Sequence, residues 1–169
     1  MPIVLVRIDD RLLHGQIVQG WLKTIDIDAL LVVSDMAVKD IIQQTLMTMA
    51  APSNIRLEIK GLKDATNAVV SEQYDKEKVM ILALNPSDIF YMIENGAVFK
   101  SVNVGGMHFT SGKRQLLYNL CVDDGDVESL YRIYCKGIEL EGRVLPKDER
   151  INIIPVIEKE YWAMCKVGK

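Results

Sequence analysis

One short segment near the start of the chain combines several chemically active residue types. RIDDRLLHGQ, residues 7–16, holds carboxylates, guanidinium groups and one of only two histidines in 169 residues. The neutral imidazole of His14 is a nucleophile near neutral pH. Arg11 offers a planar, permanently charged group suited to phosphate, and Gly15 has no side chain to block an anion from the backbone. These residue types favour a phosphoryl-accepting histidine.

The two carboxylates of this segment, Asp9 and Asp10, are poor neighbours for a phosphate. One of them is expected to orient the imidazole or Arg11 by hydrogen bonding, as a carboxylate orients a catalytic histidine. A second interpretation stays open on the residues alone. In it, Asp10 and Arg11 form a surface ion pair, and His14 is a partly buried loop residue without chemistry.

The flanking stretches predict how His14 is held. PIVLVRI, residues 2–8, is typical of a buried strand, and a short helix is expected from Gly15 to about Thr24. His14 then lies in the turn between strand and helix. Backbone N–H groups at the start of a helix lack internal partners and favour an anion, so the peptide groups of Gly15 and Gln16 are expected to help bind a phosphate.

The rest of the chain alternates between strand-like and helix-like stretches. Strands are predicted at residues 2–8, 29–34, 55–60, 78–84, 101–106, 114–122 and 138–145. Helices are predicted at residues 15–24, 37–50, 62–74, 86–96, 123–137 and 155–166. This pattern predicts an α/β fold: an open, doubly wound, mostly parallel sheet of about seven strands flanked by helices. Ligands bind such sheets at the carboxyl ends of the strands, where the loop 9–14 would lie.

Composition narrows the class of protein. A hydrophobic fraction of 49% is enough for a core, and 169 residues indicate one domain, 1–169, in which about 147–169 is a less certain C-terminal extension or helix. A net charge of −3 argues against nucleic-acid binding. No apolar run is long enough to span a bilayer and no signal peptide is recognisable, so a cytoplasmic location is expected.

Metal, nucleotide and redox sites are not indicated. VNVGGMHFTSGKR, residues 102–114, resembles a phosphate-binding P-loop, but five residues instead of four separate its glycines, and Arg114 replaces Ser or Thr. No GxGxxG occurs, and the three cysteines are widely spaced. We therefore expect neither a metal nor a cofactor. His108 is expected to be structural or to line the rim of the site.

These motifs together resemble one protein family. RxDxRLxHGQ, covering Arg7 to Gln16, is similar to the signature of the enzyme IIB components of the mannose/fructose/sorbose family of the bacterial sugar phosphotransferase system, which includes N-acetylgalactosamine members. Further similar stretches occur in family order at 30–35, 49–57, 85–88, 101–116 and 137–146. After about Lys147 the resemblance carries little information.

The resemblance implies a transient phosphohistidine at His14, on Nδ1, with Arg11 near the phosphoryl group. The donor would be a separate IIA protein, since the chain begins at the first IIB strand. The acceptor would be a sugar held by the membrane subunits IIC and IID, which places the chain at the cytoplasmic side of the membrane. Leu12, Leu13 and Trp21 could form the apolar centre of the partner interface or belong to the core. A homodimer is also plausible.

Two other functions remain as alternatives. The chain could be a non-catalytic regulatory module that docks on other proteins of the phosphotransferase system, in which case replacing His14 would leave its role intact. It could also be a nucleotide-binding α/β protein, which a test of ATP and NAD binding would decide. The sequence does not identify the sugar.

Overall fold

The computed structural model describes residues 3–167, and a seven-stranded sheet forms its centre. The nine strands of the described chain are β1 (Ile3–Asp9), β2 (Ala29–Val33), β3 (Arg56–Lys60), β4 (Val79–Ala83), β5 (Ser101–Gly106), β6 (Arg114–Leu117), β7 (Leu120–Val122), β8 (Glu139–Gly142) and β9 (Ile151–Asn152). The large sheet has the order β3-β2-β4-β1-β5-β8-β9, and all its pairs are parallel except β8 with β9. The predicted fold class is confirmed.

Helices connect the parallel strands, as the alternation predicts. The α-helices are α1 (Ile41–Ala50), α2 (Leu62–Val70), α3 (Pro86–Glu94), α4 (Asp124–Cys135) and α5 (Ile154–Val167). A π-helix covers Ile17–Trp21 and a 3₁₀ turn covers Ala37–Lys39. Local chemistry sets the helix starts: the Asn85 side chain accepts a hydrogen bond from the Asp88 N–H at 2.9 Å before α3, and Asp123 and Asp126 form a reciprocal capping box at α4.

The structure differs from the prediction at three places. The single strand expected at 114–122 is a hairpin of β6 and β7, because the chain turns at Tyr118 and Asn119. The helix after His14 is a five-residue π-helix rather than a ten-residue helix. In the C-terminal stretch α5 confirms the helix predicted at 155–166, whereas β9 was not predicted, and Ile153 and Ile157 are fully buried in the main core. Residues 168–169 lie outside the described part of the chain.

The sheet separates two hydrophobic clusters. The larger cluster lies under α2–α5 and includes Ala65, Ile89 and Leu130 with alternate strand residues. The smaller cluster lies on the other face, under the π-helix and α1, and contains Trp21 and Met47. Helices on both faces of a parallel sheet are the doubly wound arrangement that the near-continuous apolar strands predict.

A row of polar side chains crosses three strands on the face of the π-helix. Arg7 on β1 is in register with Asn103 on β5, and Asn103 is in register with Glu141 on β8. All three are buried, with exposed fractions of 0%, 1% and 4%. Arg7 donates to Asn103 Oδ1, and Asn103 Nδ2 donates to Glu141 Oε1 at 3.1 Å. A row of buried polar groups is tolerated in a sheet only where each side chain finds partners of this kind.

Gly105 provides the space for Arg7. A β-carbon at Gly105 would lie 1.7 Å from Arg7 Cζ, whereas a β-carbon at Gly15 would meet no protein atom within 4 Å. We expect Gly105→Ala to lower the free energy of unfolding by at least about 3 kcal/mol, because Arg7 is fixed by its buried partners and cannot move aside. Gly15→Ala, the matched control, should change it by less than about 0.5 kcal/mol. Urea unfolding followed by circular dichroism measures both, and equal midpoints would contradict this account.

Candidate functional site

The loop after β1 is held in a tight turn at the carboxyl edge of the sheet. The N–H of Leu12 donates to the carbonyl of Asp9 at 2.9 Å, and the N–H of Asp10 donates to the carbonyl of Gly106 at 3.0 Å. Leu12 adopts a left-handed backbone conformation with φ 55°, which is costly for a residue with a side chain. Its side chain is fully buried, so packing offsets this strain and the turn has a defined shape.

Asp9 is the carboxylate that contacts the other loop residues. Its side chain is completely buried, and Oδ2 lies 3.2 Å from His14 Nε2 and 2.9 Å from Arg7 Nη2. Its other oxygen, Oδ1, accepts the N–H of Arg11 at 3.3 Å and lies 3.7 Å from Arg11 Nε. Of the two carboxylates considered from the sequence, Asp9 is therefore the one placed to orient both His14 and Arg11.

Asp10 points to a different partner. Its Oδ1 lies 2.6 Å from His108 Nδ1, and its Oδ2 accepts the backbone N–H of His108 at 2.5 Å. The Asp10–Arg11 surface ion pair considered from the sequence is not among the described contacts; Arg11 approaches Asp9 instead. Asp10 thus ties the segment after β5 to the loop after β1.

The charge of Asp9 follows from its neighbours. Burial by itself raises the pKa of this carboxyl, but the contact with His14 and the positive charge of Arg7 outweigh burial and hold the pKa below its usual range. Asp9 is therefore ionised at neutral pH. Because its pKa is lower in the folded chain, its contribution to stability is present above the ordinary carboxyl range and is lost as the pH falls through the lowered value.

The two ring nitrogens of His14 have different surroundings. Nε2 is buried and lies 3.2 Å from the Asp9 carboxylate; the contact lacks the geometry of a hydrogen bond, but the negative charge at this distance favours a proton on Nε2. Nδ1 receives a long hydrogen bond of 3.4 Å from the Gln16 N–H, which requires a free lone pair on Nδ1. The His14 side chain is 17% exposed. The arrangement leaves Nδ1 as the nucleophilic nitrogen.

Arg11 and the first residues of the helical segment belong to the same loop as this nitrogen. Arg11 is 42% exposed, and its Nη2 donates to Gln16 Oε1 at 2.6 Å. The position beside Gly15 is open, with no protein atom near a would-be β-carbon. Because the helix is a single π-type segment, an anion here would be bound by Arg11 and a few peptide N–H groups rather than by the dipole of a long helix.

Three apolar residues beside the loop belong to the core. Leu12, Leu13 and Trp21 are 0%, 6% and 2% exposed and lie in the smaller hydrophobic cluster. Trp21 Nε1 donates to the carbonyl of Val144 at 2.8 Å, and the Cζ atoms of Arg7 and Arg143 lie over the indole ring, 5.1 and 4.9 Å from its centroid. The interpretation of these residues as an exposed partner surface is wrong.

Four residues that support the site were not identified as site residues from the sequence: Arg7, Asn103, Glu141 and Arg143. Arg7 had a signal, since a charged residue inside an otherwise apolar buried strand must have buried partners. The sequence gives no signal for the partners of Arg7. Asn103 and Glu141 lie 96 and 134 residues away from Arg7 along the chain, and they meet only through strand register. Arg143 supplies a carbonyl to Arg7 at 2.9 Å and donates to Glu141 at 3.1 Å.

Two further searches cover the described residues only. Residues 3–167 contain no group of three or more His, Cys, Asp or Glu side chains arranged to hold a metal ion. None of the helices in that range is both long enough and apolar enough to cross a membrane.

The tautomer of His14 can be measured directly. In the neutral ring, long-range ¹H–¹⁵N NMR should show Nε2 protonated and Nδ1 bare, because Asp9 faces Nε2. His108 provides an internal comparison, since its Nδ1 faces Asp10 and should carry the proton. The same tautomer at both histidines would contradict the assignment.

Comparison with known proteins gives a consistent result. The sequence-family model described as the PTS system sorbose subfamily IIB component matches residues 3–166. The fructose-specific EIIB component of Bacillus subtilis is 38% identical over 157 residues, covering 93% of this chain and 96% of that protein. The mannose-specific EIIAB component of Escherichia coli is 36% identical over 94% of this chain, which spans only about half (49%) of that longer relative.

Solved structures agree with the sequence relatives. The IIBSor domain of the sorbose permease from Klebsiella pneumoniae superimposes with a TM-score of 0.88 at 32% identity, covering 94% of this chain and 98% of that one. The N-acetylgalactosamine-specific IIB component 1 from Escherichia coli has a TM-score of 0.81 at 34% identity, over 88% and 97% of the two chains. The chain belongs to the sorbose subfamily of IIB components of the sugar phosphotransferase system.

Proposed function

We propose that this chain is a phosphocarrier that accepts a phosphoryl group on Nδ1 of His14 and passes it to a sugar. One observation carries the proposal: the buried, ionised Asp9 faces Nε2 at 3.2 Å, and the lone pair of Nδ1 is left beside Arg11 and the open position at Gly15. Family membership supports the same role. No residue outside this loop is needed to explain the choice of nitrogen.

The acceptance step needs no proton transfer at His14. The Nδ1 lone pair attacks phosphorus, the bond from phosphorus to the donor nitrogen breaks, and the donor imidazole keeps that electron pair. The His14 ring becomes cationic because Nε2 keeps its proton. The Asp9 carboxylate offsets this charge, and Arg7, which donates to Asp9 at 2.9 Å, keeps the carboxylate in place.

The transfer step reverses the charge change. The Nδ1–P bond breaks, a bond from phosphorus to a sugar oxygen forms, and the hydroxyl proton passes to solvent. His14 leaves as a neutral imidazole that still carries its Nε2 proton, which makes it a good leaving group. Negative charge spreads over the phosphoryl oxygens in such a loose transition state, and the exposed Arg11 is within the loop to stabilise it, with peptide N–H groups of Gly15 and Gln16.

The donor and acceptor follow from the family. We propose that a IIA protein phosphorylates His14, that membrane subunits IIC and IID present the sugar, and that the chain works in the cytoplasm at the membrane surface. A homodimer remains a proposal that light scattering tests. The relatives named for mannose, fructose, sorbose and N-acetylgalactosamine transport set the range of sugars to be tried.

Phosphorus NMR tests the carrier role. Incubation with phosphoenolpyruvate, enzyme I, the histidine phosphocarrier protein and a IIA protein should produce a phosphoramidate signal that correlates with Nδ1 of His14. His14→Ala should abolish it, because the proposal places the phosphoryl group on that ring alone. Potassium phosphoramidate, a small donor, serves as a second route that does not depend on the match to a particular IIA. Labelling on another residue, or none by either route, would rule the proposal out.

The contribution of Arg11 to the rate of His14 phosphorylation can be measured. We expect Arg11→Ala to slow phosphorylation of His14 by about 10- to 100-fold, since it removes a charge from the transition state, as loss of one stabilising donor does elsewhere. Stability should be nearly unchanged because the side chain is 42% exposed. Arg132→Ala on α4, where the side chain is 56% exposed, is the matched control and should phosphorylate at the normal rate. Quench-flow with labelled donor measures both rates.

A further inference from the structure

A depression of about 360 Å³ lies beside the His14 loop, between that loop and the β6–β7 hairpin. Arg11 and Gln16 form one side, Gly105 and Gly106 lie along β5, and the segment after β5 with the hairpin turn forms the other side. Its size falls within the ~300–1,000 Å³ typical of sites for small molecules. No step of the phosphoryl transfer derived above uses the far side of this depression.

Two aromatic side chains on the far side are exposed. Phe109 is 70% exposed and Tyr118 is 64% exposed, and both line the depression. Exposed apolar surface with polar residues at its rim is a mark of ligand-binding grooves. The negative face of such a ring attracts the partly positive C–H groups of a sugar ring, while the edges of that sugar remain free for hydrogen bonds.

Two hydrogen-bonding side chains line the same space. Asp10 fixes His108 through Nδ1, which leaves Nε2 for another partner. Gln16 adds an amide. Asn119 also lines the depression, but its Nδ2 donates to the carbonyls of Val104 and Gly105 and its Oδ1 is buried, so it offers a ligand no free group. An amide and an imidazole next to exposed aromatic rings are a composition suited to a polyhydroxylated ring.

A charged group completes the set. Arg11 is on the side nearest His14, and its guanidinium is half-exposed beside Gln16. A phosphate ester would place its anionic group against such a planar cation. The order of the groups, with arginine near His14 and aromatic rings on the far side, matches a ligand with a phosphate at one end and a sugar ring at the other.

We propose that this depression binds the sugar ring of the hexose or of its phosphate monoester, so that the IIB chain itself contributes to sugar recognition. The proposal rests on the phosphocarrier function only for its biological meaning; binding itself does not require a phosphorylated His14. The ring stacks on Phe109 and Tyr118, its hydroxyl groups bond to Gln16 and His108, and Arg11 binds the phosphate of the ester.

The test is a titration of the whole ¹⁵N-labelled chain, followed by NMR. The probes are mannose, fructose, sorbose and N-acetylgalactosamine, the phosphate monoesters of these sugars, and inorganic phosphate. At least one sugar or ester should shift the resonances of Phe109, Tyr118 and Asn119 with a Kd of roughly 1–10 mM. An ester that binds more tightly than both its free sugar and inorganic phosphate identifies the product as the ligand. A free sugar that binds as tightly as its ester identifies the unphosphorylated acceptor sugar as the ligand.

Variants separate this site from other surfaces. Phe109→Ala and Tyr118→Ala should each weaken binding by roughly tenfold, whereas Tyr91→Ala, which removes a 38% exposed aromatic ring from α3, should not. His14→Ala should bind as the unmodified chain does. If the unmodified chain binds a sugar but its His14 is phosphorylated by neither donor, the sugar site stands and the phosphocarrier proposal fails.

Three results would overturn the proposed sugar site. The first is the absence of shifts with every sugar and ester, even where His14 is phosphorylated normally. The second is a response to inorganic phosphate equal to that of all esters, which would show an anion site without sugar recognition. The third is normal sugar binding by both aromatic variants. If those variants slow only transfer at the membrane and no sugar binds the chain, Phe109 and Tyr118 contact a partner protein instead.

Discussion

The buried ion pair between Arg7 and Asp9 is the interaction on which the site depends. Both side chains are fully buried, and the two charges lie 2.9 Å apart. Removing two charges from water is costly, and their attraction repays it only where further hydrogen bonds satisfy the remaining donors. Arg7 finds two of these at Asn103 and at the carbonyl of Arg143, while its Nε has no hydrogen-bond partner among the described residues. Three strands and the loop after the third must therefore be in register before the pair is stable.

This constraint explains why a strained turn can be rigid. Leu12 has a left-handed backbone and a completely buried side chain, which ties the loop to the smaller hydrophobic cluster. Asp9 begins the same turn and is fixed by Arg7. The position of His14 is therefore set from both sides of the turn, and its ring needs no rearrangement to present Nδ1. Groups oriented in advance are the main means by which proteins accelerate phosphoryl transfer.

The two faces of the sheet have separate tasks. The larger cluster under α2–α5 is almost wholly apolar and supplies most of the buried hydrophobic surface. The face of the π-helix carries apolar residues under α1 but charged and amide groups on β1, β5 and β8, where two guanidinium groups lie over the ring of Trp21. One face can therefore hold a costly polar network because the other provides the stability. The functional loop lies directly above that network at the carboxyl edge.

Much of this was determined by the sequence alone. The alternation of apolar runs and amphipathic stretches specifies a doubly wound sheet, because period and run length depend only on local order, and Pro86 and the acids before α4 mark helix starts through local chemistry. The reactive segment around His14 was visible because its residue types are contiguous. The tertiary structure decided the rest: that Asp9 and not Asp10 orients His14, that Leu13 and Trp21 are buried, and that Asn103, Glu141 and Arg143 support the site. These depend on strand register and on which face each side chain occupies, and residues so far apart in the chain meet only after the sheet has formed.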